Sequence, residues 1–125
     1  MTLSDAIEGF DREHPDSTPF HLKVQWISQL DHKVYAEILA PRGYGDFKGY
    51  DLETPQNTIL AVPDVYGEIY EYYIKMNIDL RNGEIERFNN NAVLFNRTYK
   101  ELFDYINRKE AVKKQTKISA GDLIV

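Results

Sequence analysis

Apolar residues recur at intervals of three and four along much of the chain, which is the spacing of one face of an α-helix. The first such run predicts a short helix that begins with a capping box formed by Thr2 and Asp5 and ends before His14-Pro15. Its apolar positions are Leu3, Ala6, Ile7 and Phe10.

A second helix is predicted from Thr18 and Pro19, with Thr18 as the N-cap and Pro19 at the first helical position, where its missing N–H costs nothing. Pro41 ends this helix. Its apolar face consists of Phe20, Val24, Ile27, Leu30, Val34 and Ile38, widened by Leu22 and Trp26. Asp31 and His32 project from different sides of the helix, and we expect both to be solvated.

Residues 41–63 contain three prolines and three glycines, so we expect a loop there, with short strand pieces such as 58–62. A connection of this length without structure of its own is commonly functional. Tyr44, Phe47 and Tyr50 are its candidate contact residues.

Two further runs of helical spacing follow Pro63 and are separated by Gly83, which marks either a kink or a break because the two runs do not share a phase. The first is Ile69, Tyr73, Met76 and Leu80, and the second is Ile85, Phe88, Ala92, Phe95, Tyr99, Leu102 and Ile106. The second run predicts one unbroken helix whose apolar seam forms the core or packs against another subunit. The predicted fold is therefore all-α: a small helical bundle over residues 1–112.

The last residues differ in composition from this domain. Residues 108–118 contain five basic residues against one acidic residue, a local charge of +4, while the rest of the chain carries −9. We predict an extended tail over residues 113–125 that binds a partner. Its candidate contact residues are Lys113, Lys114, Lys117, Ile118, Leu123, Ile124 and Val125.

No pattern in the sequence indicates catalysis, a metal or a cofactor. Cysteine is absent, which excludes disulfides and thiol nucleophiles, and no phosphate-binding or hydrolase motif is present. Asp11, Glu13, His14, Asp16 and His21 match no standard metal-ligand spacing. The net charge of −5 argues against nucleic-acid binding, and the lack of a long apolar stretch predicts a soluble protein made in a cytoplasm.

Several segments between residues 20 and 107 occur together in a specific order. They are Trp26-Ile27-Ser28-Gln29-Leu30-Asp31 with Tyr35 and Glu37, Leu60-Ala61-Val62-Pro63 with Tyr66, Glu68 and Tyr70, Ile78-Asp79, Asn82-Gly83-Glu84-Ile85-Glu86-Arg87-Phe88-Asn89-Asn90, and Phe95-Asn96. In this order the chain resembles the head-tail connector (adaptor) proteins of siphophages that infect Gram-positive bacteria. His32-Lys33 and Gly67 depart from that pattern, and the tail is not part of it.

The resemblance implies a non-enzymatic virion protein of the phage neck. It implies a homo-oligomeric ring, usually of twelve subunits, with the portal protein above it and a stopper or tail-completion protein below it. DNA would pass through the axial channel without sequence-specific binding, and no membrane would be involved. The alternative is a free-standing helical binding module, such as a phage regulator of a host protein.

Overall fold

A computed structural model describes the backbone of residues 1–124 and the side chains of residues 1–112. The described residues form four α-helices and no strands, so the predicted all-α class is confirmed. The helices are α1 (Leu3–Glu13), α2 (Phe20–Val34), α3 (Glu68–Arg81) and α4 (Ile85–Ile124). One core unites them, with buried apolar side chains from all four helices and from the segment between α2 and α3.

Helix α1 begins with the predicted capping box. The Asp5 N–H donates to Thr2 Oγ1 at 3.1 Å, and the Thr2 N–H donates to the Asp5 carboxylate at 3.0 Å. The four predicted apolar residues of α1 are all buried. A buried lysine then joins α1 to α2, because Lys23 Nζ lies 2.5 Å from Asp11 Oδ1 and 3.0 Å from Asp16 Oδ1.

Helix α2 starts one residue later than predicted, with Pro19 rather than Thr18 as the N-cap. The helix continues as a π-helical turn (Tyr35–Leu39) and a 3-10 turn (Ala40–Arg42), and Gly43 closes it with a positive φ of 87°. Five of the six predicted apolar positions are buried, whereas Phe20 at the open first turn is 43% exposed.

The segment from residue 43 to residue 63 is a packed loop. Among the described residues, the short strand expected at 58–62 is reduced to a single antiparallel bridge between Thr2 and Ile59. A 3-10 turn, Asp64–Tyr66, then leads into α3.

Gly83 separates α3 from α4, with a φ of 70° that favours glycine. The Glu84 N–H donates to the Asp79 carbonyl at 2.9 Å across this turn, and Asn91 Nδ2 donates to the Asp79 carboxylate at 2.9 Å. The sequence left a kink and a break as alternatives, and the structure has a break between two helices that pack against each other.

The predicted apolar face of α3 was partly wrong. Ile69 is buried as expected, but Leu80 is 57% exposed, and the other buried residues are Tyr70, Ile74 and Asp79. Helix α3 contacts α1, α2 and α4, so its buried surface is set by several neighbours rather than by one stripe.

Helix α4 is unbroken, as predicted, and its bounds reach Ile124. It therefore continues through the segment that we expected to be an extended tail, which contains no proline and no glycine before Gly121. The tail side chains named above, from Lys113 to Val125, lie outside the described residues, and their partner contacts stay a prediction. No helix in the described part of the chain is long and apolar enough to cross a membrane.

Candidate functional site

A buried carboxylate lies at the centre of the molecule. Asp31 on α2 is fully buried, and three groups donate hydrogen bonds to it. Tyr70 Oη donates to Oδ1 at 2.6 Å, while Tyr50 Oη and the Ala61 N–H donate to Oδ2 at 2.7 and 3.0 Å. The Val62 N–H donates to Tyr70 Oη at 3.1 Å. We call Asp31, Tyr50, Tyr70 and the backbone of Ala61 and Val62 the Asp31 network.

This position was predicted to be solvated, and that prediction was wrong. A signal was nevertheless present, because Asp31 occupies a step of the apolar stripe between Ile27 and Val34, both of which are buried. A polar residue at a core position needs buried partners, and the partners here come from residues 19 to 39 positions away in the sequence.

Burial governs the ionisation of the network. It raises the pKa of Asp31 above its usual value, and the hydrogen bonds from Tyr50 and Tyr70 and from the Ala61 N–H oppose this rise. The pKa values of Tyr70 and Tyr50 are raised strongly, first by burial and also by the nearby Asp31 charge. Both oxygens of Asp31 already accept hydrogen bonds, so the carboxylate is a structural link between α2, α3 and the loop.

The three predicted loop residues contact the protein itself. Phe47 stacks on Tyr35 with ring centroids 5.2 Å apart and meets the edge of Tyr50 at 4.9 Å. Tyr44 Oη lies 3.2 Å from Glu110 Oε1, so the start of the loop contacts the end of the described part of α4. These contacts hold the loop against α2 and α4.

An apolar groove of about 1010 Å³ lies between the two ends of this loop. Its first wall is formed by Ile59 of the bridge and the residues after it, its second wall by the π-helical turn after α2 and the start of the loop, and its floor by α4. We call this surface the α4 groove. Its lining residues are Ile59, Leu60, Ala61 and Pro63, then Tyr35, Leu39 and Tyr44, and finally Tyr105, Ile106, Arg108, Lys109, Glu110 and Val112.

The predicted α4 seam divides between core and surface. Phe95, Leu102 and Ile106 are buried, and Phe88 and Tyr99 are half-buried. Ile85 is 57% exposed because it lies in the first turn of α4, just after the break at Gly83. Tyr99 Oη donates to the carboxylate of Glu37, which ties α4 to the π-helical turn after α2.

A second polar cluster joins α1 to α3. His14 Nε2 lies 2.5 Å from Glu71 Oε1 and 4.0 Å from Glu13 Oε2, and Lys75 Nζ lies 3.1 Å from the same Glu71 oxygen. Glu71 was not among the candidate ligands taken from the sequence, and two of those candidates, Asp11 and Asp16, bind Lys23 instead. The Glu71 oxygen that faces His14 is thus also paired with the Lys75 ammonium.

Comparison of the chain with protein-family models, with curated proteins and with solved structures found no significant match.

Proposed function

We propose that the chain is a head-tail connector subunit of a siphophage, acting in the virion neck. In this role it forms a ring beneath the portal, leaves an axial channel for DNA and joins the head to a stopper or tail-completion protein. The role is mechanical and needs no catalytic group.

The observation that carries the proposal is that the first two of the resembling segments meet in space. Asp31 ends the first segment, Ala61 and Val62 belong to the second, and Tyr70 follows it, and all of them are in the Asp31 network. Each motif is ordinary by itself. Their direct contact supports the resemblance because two segments that are far apart in the sequence form one hydrogen-bonded unit in the fold.

The long α4 helix fits a ring subunit. It packs along α3 and continues to Ile124, beyond the last described side chain at Val112. Twelve further helical residues correspond to about 18 Å of rise. The basic character of residues 113–117 would then be available to a partner such as the portal, while the acidic remainder of the chain suits a channel wall that repels DNA phosphates.

Assembly onto portals tests the proposal. The full chain, mixed with DNA-filled heads that lack a connector, should add a ring below the portal that is visible by cryo-electron microscopy. Deleting residues 113–125 should abolish incorporation, whereas replacing Lys113, Lys114 and Lys117 with glutamine preserves the chain length and isolates the contribution of charge. A full chain that stays monomeric and never joins portals would contradict the proposal and favour the free-standing binding module.

A further inference from the structure

The backbone at Ile59 is paired on one side only, which leaves an open edge like that of an unpaired strand. The Leu3 N–H donates to the Thr58 carbonyl and the Leu60 N–H donates to the Met1 carbonyl, each at 2.9 Å. Thr2 and Ile59 therefore form the facing pair of an antiparallel bridge in which the backbone groups of both residues point away from each other. Within residues 1–112, neither the N–H nor the carbonyl of Ile59 has a hydrogen-bond partner, and the side chain is 70% exposed.

This open edge lies on the wall of the α4 groove. An extended peptide that binds beside a free edge gains main-chain hydrogen bonds, and its alternate side chains enter the adjoining pockets. A helical ligand satisfies its own backbone and would leave the Ile59 groups without protein partners. The combination of an open edge and an apolar groove thus selects an extended ligand over a helical one.

The wall that carries this edge is held in place from behind. Asp31 accepts from the Ala61 N–H and Tyr70 accepts from the Val62 N–H, so the two residues that follow Leu60 are fixed by the core. A surface that is already ordered loses little conformational entropy when a ligand binds. The α4 groove is therefore preorganised by the Asp31 network.

Two basic side chains of the groove lining indicate the charge of the ligand. Arg108 and Lys109 both line the groove and both are exposed, and Lys109 Nζ lies 4.8 Å from the centroid of the Tyr105 ring. The one acidic residue of the lining, Glu110, contacts Tyr44. A ligand with a carboxylate near these residues would gain charge-assisted hydrogen bonds to the two basic side chains.

We propose that the α4 groove binds an extended segment of a partner protein. The segment pairs with the backbone of Ile59, places alternate branched apolar or aromatic side chains in the groove, and directs an acidic residue toward Arg108 and Lys109. This inference concerns the ligand of one surface and does not depend on the ring.

The first test selects ligands without bias. A displayed library of random peptides of about twelve residues is panned against the full chain, and the enriched sequences are read. We expect apolar residues at every second position, followed or preceded by Asp or Glu. Enrichment of apolar residues at helical spacing, or no enrichment, would overturn the proposal.

The second test uses matched variants and an enriched peptide made synthetically. Ile59→Lys should weaken binding about tenfold or more, measured by fluorescence anisotropy, because it places a charge at the open edge. Val65→Lys is the control, since Val65 is 68% exposed and lies outside the groove lining. Circular dichroism confirms that both variants fold, and equal binding by both would overturn the proposal.

The third test concerns charge and the competing occupant. Arg108→Glu should weaken binding of the acidic peptide several-fold at low salt and less at high salt, whereas Lys100→Glu, elsewhere on α4, should not.

Light scattering of the full chain tests whether a second copy covers the groove instead. A dimer that Ile59→Lys dissolves and the peptide cannot displace would overturn the proposal.

Discussion

The segment around residues 59–63 contributes both to the interior and to the α4 groove. The two regions differ in how many of their polar groups have hydrogen-bond partners. On the inner side, Ala61 and Val62 donate to Asp31 and Tyr70, and no buried polar side-chain atom of the described residues lacks a partner. On the outer side, Ile59 exposes an apolar side chain and an open backbone edge. The described residues therefore satisfy the buried polar side chains of the interior, whereas at Ile59 they leave an apolar side chain and two backbone groups exposed.

The largest effect on stability is expected in the interior, at Phe95. This residue is 6% exposed and packs against Tyr73 and Tyr99, with ring centroids 5.5 and 5.8 Å away. Phe95→Ala should lower the free energy of unfolding by about 3 to 5 kcal/mol, measured by urea denaturation. Phe103→Ala on the same helix is the control, because Phe103 is 38% exposed and should lose less. A loss below about 1 kcal/mol at Phe95 would mean that the closed side is not a packed core.

The next largest effect is expected at Asp31. Asp31→Ala leaves the hydroxyls of Tyr50 and Tyr70 and the Ala61 N–H without their acceptor. Each unsatisfied buried donor costs about 1 to 3 kcal/mol, and because the three are coupled we expect a total loss of about 2 to 4 kcal/mol. The exposed Asp46 supplies the control, and Asp46→Ala should change stability by less than about 0.5 kcal/mol. Equal losses in the two variants would show that the network contributes nothing to stability.

These residues also show how far the sequence could predict the fold. Helical spacing located α1, α2 and α4 and their main buried residues, because each of those helices buries one continuous stripe. The same reasoning failed for α3, where Leu80 was predicted to be buried and Asp79 is buried instead, since several neighbours cover that helix. The candidate site was harder to predict from the sequence. Asp31 meets Tyr50 and Tyr70 only in the tertiary structure, and a local pattern does not encode such contacts.

A smaller effect on the closed side is its dependence on pH. Because burial raises the pKa of Asp31 in the folded protein, the unfolded chain loses this proton at a lower pH than the folded chain does. Between the two pKa values the folded state binds more protons, so the stabilisation from Asp31 falls as pH rises through this window. Hydrogen bonds with Thr2 lower the pKa of Asp5, and a hydrogen bond with Lys33 is the main cause that lowers the pKa of Glu37. These two carboxylates therefore contribute to the pH dependence in the opposite direction.

The measurement that isolates Asp31 is the difference in unfolding free energy between the wild type and Asp31→Ala across the acidic range. The other carboxylates cancel in this difference, which should be largest below the usual aspartate pKa of about 3.9 and decrease at higher pH. Carbon-detected titration of the Asp31 carboxyl should give a pKa above that value. A difference that grows with pH would contradict the inferred direction.

The smallest effect is expected on the open side, where two neighbouring residues separate the groove from the core. Ile59 is 70% exposed and Leu60 is 4% exposed, although both line the same wall. Ile59→Thr keeps a β-branched side chain and removes apolar surface that the folded subunit does not bury, so stability should change by less than about 0.5 kcal/mol. Leu60→Ala, measured in the same urea series, should lose about 2 to 5 kcal/mol because it leaves a cavity. If Ile59→Thr were as destabilising as Leu60→Ala, the Ile59 side chain would contribute to the core, and the contrast between a closed interior and an open groove would not hold at this wall.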